Sequence, residues 1–200
     1  MASFVIGLTG PTGAGKSTWT AAFRALGCAV IDCDALAKTV TESPAVQQKL
    51  QGEFGTDILQ NGILNRRLLA ARAFADAASV QRLNAITHPA IGAEIAREMR
   101  LYEKQNVRAV VIDAPLLFEG GLEKLCRVTA AVLAPRQVRL ARIEKRDGIT
   151  PKEAERRMAS QHDDAFFRQH ADCILDGALP QADIPARAQV QLGLWLGENV

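Results

Sequence analysis

The feature that most constrains this chain is a glycine-rich turn close to its start. The turn, GPTGAGKS at residues 10–17, directly follows the apolar run FVIGL at residues 4–8. Glycines permit positive φ and leave backbone N–H groups unobstructed, so such a turn between a strand and a helix can cradle phosphate groups. The stretch from Thr18 to Leu26 can form the helix that would follow. We therefore predict a phosphate-binding loop, with a chance turn as the alternative.

The parts of this loop predict contacts with a nucleoside triphosphate. Lys16 would place a positive charge near the β- and γ-phosphates, and Ser17 would offer a hydroxyl to Mg²⁺. The N-terminus of the following helix would direct the positive end of its dipole at the anion. The residues predicted to bind the nucleotide are Gly13, Ala14, Gly15, Lys16, Ser17 and Thr18.

The amino-acid composition limits the classes of protein to which this chain can belong. The chain has 200 residues, 48% of them hydrophobic and 23% charged, which suits one α/β domain with an inserted subdomain. A net charge of +2 gives no reason to expect nucleic acid as a partner. With no basic leader and no run of about 18 apolar residues, we expect a cytoplasmic protein without a membrane helix. The four cysteines lack C-x-x-C spacing, so we expect reduced thiols and no metal on them.

Short apolar runs alternate with helical stretches, which is the pattern of βα units around a parallel sheet. We place strands near residues 3–8, 28–32, 108–113, 128–134 and 172–176. The long gap between the second and third runs predicts an inserted helical domain over residues 35–106, capping the carboxyl ends of the strands. The segments 1–34 and 107–200 would form the nucleotide-binding core.

Local signals inside the insertion support a helical reading. Ser43-Pro44 predicts the start of a helix, and Asn61-Gly62 predicts a turn.

The segment of residues 136–168 is dense in arginine, with Arg136, Arg139, Arg142, Arg146, Arg156, Arg157 and Arg168. A solvated helical face with interleaved carboxylates is the alternative reading of such a pattern. Behind a phosphate-binding loop we favour a helical lid, because a closing lid supplies positive charge and excludes water.

Carboxylates stand at the ends of two predicted strands. Asp113 ends the run VVID, where a carboxylate can hold Mg²⁺ directly or through water; a helix cap or turn is the alternative. Asp32 and Asp34 follow the second strand, and strand alternation would direct both side chains into one cleft beside the phosphates. One of them could take the proton of an acceptor hydroxyl, so the pair predicts phosphoryl transfer.

The order of these motifs resembles the dephospho-coenzyme A kinase family. The resemblance rests on the loop and on VIDCD at 30–34, GILNR at 62–66, LNAITHP at 83–89, DAPLLFE at 113–119, Arg142, RDG at 146–148 and ADCILD at 171–176. It implies a three-layer P-loop core with a five-stranded parallel sheet, an inserted helical substrate domain and a lid. It also implies Mg²⁺-dependent transfer of the ATP γ-phosphoryl group to the ribose 3′-hydroxyl of dephospho-coenzyme A.

The resemblance assigns roles to individual residues as well. Asp34 is implied to activate the 3′-hydroxyl, with Asp32 as a supporting group or substrate contact. Lys16 and a lid arginine, Arg142 as first choice, would stabilise charge on the transferring phosphoryl group. The acceptor site would include Arg66, His88, Leu116, Leu117, Phe118 and Glu119.

The sequence departs from the family pattern in the phosphate-binding loop, after the last predicted strand, and at Ala45, where the family tends to have glycine. Pro11-Thr12 stands where the family has Gly-Ile, and proline removes one N–H from the loop. Asp176-Gly177 replaces Asp-Asn, so a base contact by that asparagine is not implied.

Two other functions stay open at this point. One is a P-loop kinase that phosphorylates a nucleoside or nucleotide, since fold alone does not fix the substrate. The other is a nucleotide-sensing module without catalysis, against which the two aspartates argue. We expect small molecules as the only ligands, and a monomer or weak homo-oligomer.

Overall fold

The structure, a computed structural model, describes residues 4–105 and 107–198. The chain divides into two units: the chain up to Ile31 together with the part from Tyr102 onward, and the segment Asp32–Leu101. The strands in chain order are β1 (Val5–Thr9), β2 (Ala29–Asp32), β3 (Leu59–Gln60), β4 (Ile63–Leu64), β5 (Val110–Asp113), β6 (Val128–Leu133) and β7 (Cys173–Asp176).

The helices lie between and after these strands. They are α1 (Lys16–Ala25), α2 (Cys33–Glu42), α3 (Pro44–Phe54), α4 (Arg66–Ala73), α5 (Ala77–Lys104), α6 (Arg136–Asp147), α7 (Pro151–Ala159), α8 (Asp164–His170) and α9 (Ile184–Leu196), with 3-10 turns at Thr56–Ile58 and Leu122–Leu125. Among the described residues, none of the helices combines the length and the apolar character needed to cross a membrane.

A five-stranded sheet is the centre of the first unit, with the strand order β2-β5-β1-β6-β7. The central strand β1 pairs in parallel with β5 and β6, and β6 pairs in parallel with β7. All five strands lie where the apolar runs predict them, with ends that differ by a residue or two; residue 3, the predicted start of the first strand, lies outside the described residues. The predicted five-stranded parallel sheet is confirmed.

Alternation along β6 divides the core of this unit between the two faces of the sheet. Ala130 and Val132 belong to a buried cluster with side chains of α1 and α9, among them Phe23 and Leu192. Ala131 and Leu133 instead pack against Phe167 of α8. Helices therefore cover both faces, which confirms the predicted three-layer α/β arrangement.

The second unit has its own core, built from α3, α4 and the hairpin of β3 and β4 around the fully buried Leu50 and Ile58. The Ser43 hydroxyl accepts from the Val46 N–H at 3.4 Å and Pro44 begins α3, so the predicted helix start is confirmed. Asn61 and Gly62 have φ of 52° and 79°, as the tight turn of a hairpin requires. The flanking strands are not predicted, because two residues carry no alternation.

The four cysteines are free thiols. Burial raises the pKa of the Cys28 thiol to about 11 and that of Cys126 to about 12. Both thiols are consequently poor nucleophiles at neutral pH, and a role in packing accounts for them.

Candidate active site

The glycine-rich turn joins the end of β1 to the start of α1. Gly10, Gly13 and Gly15 have φ of 147°, 76° and 98°, which confirms the predicted positive backbone angles. At Gly13 a Cβ would lie 2.7 Å from the carbonyl oxygen of Arg139, so a side chain is excluded there by α6 as well as by φ. Helix α1 begins at Lys16, and its first N–H groups continue the series offered by the loop. The loop thus has the backbone of an anion cradle.

Lys16 and Asp113 meet at the carboxyl end of the central strands. The Lys16 ammonium forms an ion pair with Oδ1 of Asp113, and the Thr20 hydroxyl donates to Oδ2 at 2.7 Å. Asp113 is 8% exposed, so this carboxylate depends on its protein partners for compensation of its charge. The predicted strand-end position of Asp113 is confirmed. Thr20 was not predicted; its place one helical turn after Lys16 is the signal that could have found it.

The oxygen atoms near Lys16 fit the preferences of Mg²⁺. Ser17 is exposed, and its hydroxyl and the Asp113 carboxylate are the hard oxygen ligands that this ion takes. Within the described residues, no group of three or more His, Cys, Asp or Glu could hold a metal ion alone. A cation held mostly by phosphate oxygens and water needs no such group.

The arginine-rich segment forms α6, α7 and α8. Ion pairs with carboxylates engage Arg136, Arg139, Arg146 and Arg157. Arg142 differs: its Nη1 donates to the carbonyl oxygen of Gly177 at 2.8 Å and to those of Gly13 and Ala14 at 3.3 Å. Its charge is therefore placed against the phosphate-binding loop, on the carbonyl side of that loop.

Thr12 is the second residue of the Pro11-Thr12 pair that departs from the family pattern. Its N–H, carbonyl and hydroxyl groups all form hydrogen bonds. Its N–H donates to Oε1 of Gln161 at 2.8 Å, its carbonyl accepts from Nε of Arg139 at 3.1 Å, and its hydroxyl accepts from Arg146 at 3.4 Å. Arg139 is 5% exposed. Burial lowers the pKa of its guanidinium, and the carboxylate of Asp164 opposes that shift. The departure from the family pattern is thus accommodated by contacts from α6 and from the segment after α7.

Gly177, which stands where the family has asparagine, lies directly against the phosphate-binding loop. Its N–H donates to the Leu133 carbonyl at 2.7 Å, and its own carbonyl accepts from Arg142. A Cβ at this position would overlap the carbonyl oxygen of Ala14. The glycine is required by this close approach of two backbone segments.

We expect Gly177→Ala to lower the free energy of unfolding by about 1–3 kcal/mol, because Ala14 must move to admit the methyl group. The same movement distorts the loop and should raise the Kd for ATP. Gly52→Ala is the matched control: nothing lies within 4 Å of a Cβ there, and the residue is inside α3. That control should gain about 0.5–1 kcal/mol. Urea unfolding and calorimetric titration with ATP measure both effects, and equal behaviour of the two variants would contradict the close approach.

The two aspartates after β2 are arranged differently from the prediction. Strand β2 ends at Asp32, and α2 begins at Cys33, so strand alternation does not extend to Asp34 and that premise is wrong. The Asp32 carboxylate accepts from the Ala35 N–H at 2.9 Å, which makes it the N-cap of α2, and Asp34 lies in the first turn. Aspartate is among the preferred N-cap residues, and this local preference ends the strand. The roles of Asp32 and Asp34 in the reaction stay predictions.

Asp32→Ala is expected to lower the free energy of unfolding by about 1 kcal/mol, because the cap is lost. Asp32→Asn keeps the cap and removes only the charge, so its stability should stay within a few tenths of a kcal/mol. Chemical denaturation of both variants tests the cap. A changed KM for the acceptor substrate in Asp32→Asn would then report a substrate contact separately from folding.

Two other predicted acceptor residues lie in the same unit as Asp34. Arg66 is the first residue of α4, and its guanidinium donates to the Thr41 hydroxyl at 3.1 Å and to Glu42 at 2.8 Å. His88 is exposed on α5, directly before Pro89. Their proposed contacts with substrate stay predictions.

The segment of residues 116–119 follows β5 in the first unit. Leu116 is 62% exposed, whereas the Leu117 side chain is fully buried, so packing already accounts for Leu117. Glu119 Oε1 lies 3.2 Å from Nε2 of His162, and the rings of Phe118 and Phe166 meet edge to face. Leu116 and Glu119 line one cavity together with Gly10 and Pro11. Contact of this segment with substrate stays a prediction.

A phosphate-binding loop after the central strand of a parallel sheet, with its lysine paired to a strand-end aspartate, defines a P-loop nucleotide-binding protein. The family model described as dephospho-CoA kinase matches residues 4–181, and the chain belongs to that family. The dephospho-CoA kinase of Anaeromyxobacter dehalogenans is 40% identical over 177 residues, which cover 87% of this chain and 83% of the relative.

Solved structures agree on the fold. The crystal structure of TT1252 from Thermus thermophilus is 30% identical, with a TM-score of 0.84 and coverage of 97% of this chain and 98% of that one. The dephospho-CoA kinase from Campylobacter jejuni is 23% identical, with a TM-score of 0.63 and coverage of 98% of both chains. At that identity the second likeness concerns the fold alone.

Proposed function

We propose that this protein transfers the γ-phosphoryl group of ATP to the ribose 3′-hydroxyl of dephospho-coenzyme A. The observation that carries the proposal is the pairing of Lys16 with Asp113 at a phosphate-binding loop, in a chain of the dephospho-CoA kinase family. That pairing supplies a cation and an oxygen ligand where the phosphates of a nucleotide would lie.

The reaction breaks the bond between the γ-phosphorus and the bridging oxygen, so that ADP leaves, and forms a bond to the 3′-oxygen. Backbone N–H groups between Gly13 and Thr18 would hold the phosphates; those of Ala14 and Thr18 also donate to the carbonyls of Pro11 and Gly15, each at 3.1 Å. Lys16 would neutralise charge that grows on the β- and γ-phosphate oxygens. To do so, the Lys16 ammonium must give up part of its contact with Asp113 and contact a phosphate oxygen instead. Its ion pair with that carboxylate keeps it in place before ATP arrives.

In our proposal, the Asp34 carboxylate is the general base that accepts the proton of the 3′-hydroxyl. Asp32 would contact the acceptor while it caps α2. Arg66, His88, Leu116, Leu117, Phe118 and Glu119 complete the proposed acceptor site, with Leu117 contributing through the packing of its segment.

Ser17 and Asp113 would hold Mg²⁺, the latter through water, because both of its carboxylate oxygens already accept hydrogen bonds from Lys16 and Thr20. When bound, the ion would supply positive charge that neutralises the phosphate oxygens. Ser17 would keep its hydroxyl directed at the phosphates from the first turn of α1.

Arg142 is our choice for a lid residue that stabilises the transferring group, in a lid of residues 136–168. Its present contacts with carbonyl oxygens support a place beside the loop. Reaching a phosphoryl oxygen requires it to leave those carbonyls. A helical insertion over residues 35–106 would carry the acceptor site, and a cytoplasmic location and a monomer or weak homo-oligomer stay predictions.

An ADP-release assay with purified protein, ATP and Mg²⁺ tests the proposal. Four reactions are compared: dephospho-coenzyme A, adenosine, AMP and no acceptor. We expect ADP release with dephospho-coenzyme A well above the other three, and mass spectrometry should find the 3′-phosphorylated product. A higher rate with adenosine or AMP would instead indicate a nucleoside or nucleotide kinase, and binding of ATP without turnover would indicate a sensing module.

A further inference from the structure

The segment of residues 160–163, which joins α7 to α8, contacts two different loops through consecutive side chains. Gln161 accepts the N–H of Thr12 in the phosphate-binding loop at 2.8 Å. His162 places Nε2 at 3.2 Å from Glu119 in the loop after β5. We call residues 160–163 the tie segment.

Both contacts lie at one cavity of about 260 Å³. Its lining includes Gly10 and Pro11 from the phosphate-binding loop, Pro115, Leu116 and Glu119 from the loop after β5, and Ser160, Gln161 and His162 from the tie segment, next to Ala159 and Phe167. The tie segment is therefore the element that joins the donor-binding loop to the loop assigned to the acceptor.

The tie segment is itself held in place. The ring of His162 stacks on Phe166 with centroids 3.7 Å apart and an angle of 12° between the planes. Asp163 caps α8 by accepting the Phe166 N–H at 2.9 Å. On the other side of Phe166, His170 stacks at 4.2 Å, but its Nδ1 contacts the Phe166 carbonyl rather than Glu119. The orientation of His162 toward Glu119 is thus fixed by packing.

On this basis we infer that Gln161 and His162 are positioning residues with divided tasks. Gln161 fixes Thr12 and so the donor-binding loop, whereas His162 fixes Glu119 and so the acceptor side. The inference rests on the proposed function, because it needs a donor and an acceptor whose kinetics can be separated. Neither residue touches the reacting atoms; each acts through the residue that it holds.

Separate replacement of the two side chains tests this division. Gln161→Met keeps the length of the side chain and removes its acceptor oxygen, so we expect the KM for ATP to rise about two- to tenfold, the effect of one hydrogen bond. His162→Phe keeps the stack on Phe166 and removes Nε2, so the KM for dephospho-coenzyme A should rise by a similar factor. Each variant should leave the KM for the other substrate within about twofold.

Conservative changes and a matched variant complete the design. His162→Gln restores an N–H donor and should recover part of the affinity for the acceptor. His170→Phe changes the same residue type in the same aromatic stack, and the new ring keeps the contacts of His170 with Phe118 and Phe166. This variant should leave both KM values unchanged. Thermal unfolding of every variant shows whether the stack survives.

The division is overturned if either variant raises both KM values equally, or if neither value moves, or if His170→Phe reproduces the effect of His162→Phe. A failure of the proposed function is recognised separately, because the unaltered protein would then release no ADP with dephospho-coenzyme A. In that case calorimetric titration with ATP still tests whether Gln161 positions the donor-binding loop. An unchanged Kd for ATP in Gln161→Met would overturn that role.

Discussion

Asp34→Asn is expected to lower kcat by at least about 10²-fold, because an amide cannot take the proton of the 3′-hydroxyl. The replacement has nearly the same shape, and asparagine is tolerated in the first turn of a helix, so α2 should persist. The Kd for ATP should stay within about twofold, since the phosphates bind to the loop at residues 10–17. Steady-state ADP release and calorimetric titration with ATP measure the two quantities.

Asp57→Asn is the matched control for this change. Asp57 belongs to the same unit, is exposed, and forms an ion pair with Arg72 at 2.6 Å. The variant makes the same change of charge at a position without a proposed role, so its kcat should equal that of the unaltered protein. Full activity in Asp34→Asn would remove Asp34 from the mechanism. Equal losses in both variants would indicate an effect of net charge or of folding.

The parts of the fold that the sequence predicts well are those with local causes. The loop at residues 10–17 and the strand before it are encoded by contiguous residues, and so are the Ser43 cap and the Asn61-Gly62 turn. In each case the residue type demands a backbone conformation that neighbours do not override. The position of Asp113 follows from the apolar run that it ends.

The pair Asp32 and Asp34 shows where prediction from local sequence fails. Two rules apply to the same residues: strand alternation, and the preference of aspartate for the N-cap. The Ala35 N–H contact shows that capping prevails once β2 ends. Helix α2 follows without a separating turn, so no glycine or proline marks the boundary in the sequence.

Contacts between distant segments could not be predicted from one sequence. Thr20 and Asp113 are 93 residues apart, and Thr12 and Gln161 are 149 apart. The arginines of α6 illustrate the difficulty: they share a residue type and a helix, yet Arg139 meets Asp164 while Arg142 meets carbonyl oxygens. Only the packing of α6 against the loop distinguishes the two.

Lys16→Met is expected to lower kcat/KM for ATP by about 10²–10³-fold, as the loss of one charged donor at a transition state does. It should also lower the free energy of unfolding by about 1–3 kcal/mol, because the Asp113 carboxylate, 8% exposed, loses the cation that compensates it. Lys124→Met removes the same charge from an exposed position and should leave both quantities unchanged. Urea unfolding and initial rates over a range of ATP concentrations measure them.

The double variant Lys16→Met with Asp113→Asn separates these two effects. Asparagine at 113 still accepts from the Thr20 hydroxyl and carries no charge, so the stability lost in Lys16→Met should largely return. Activity should not return, because the phosphates still lack their lysine and the Mg²⁺ site has lost a ligand. Adding the second mutation would then raise stability while activity stays low. Recovery of activity together with stability would instead mean that Lys16 serves only to neutralise Asp113, and the assignment of a catalytic P-loop lysine would fail.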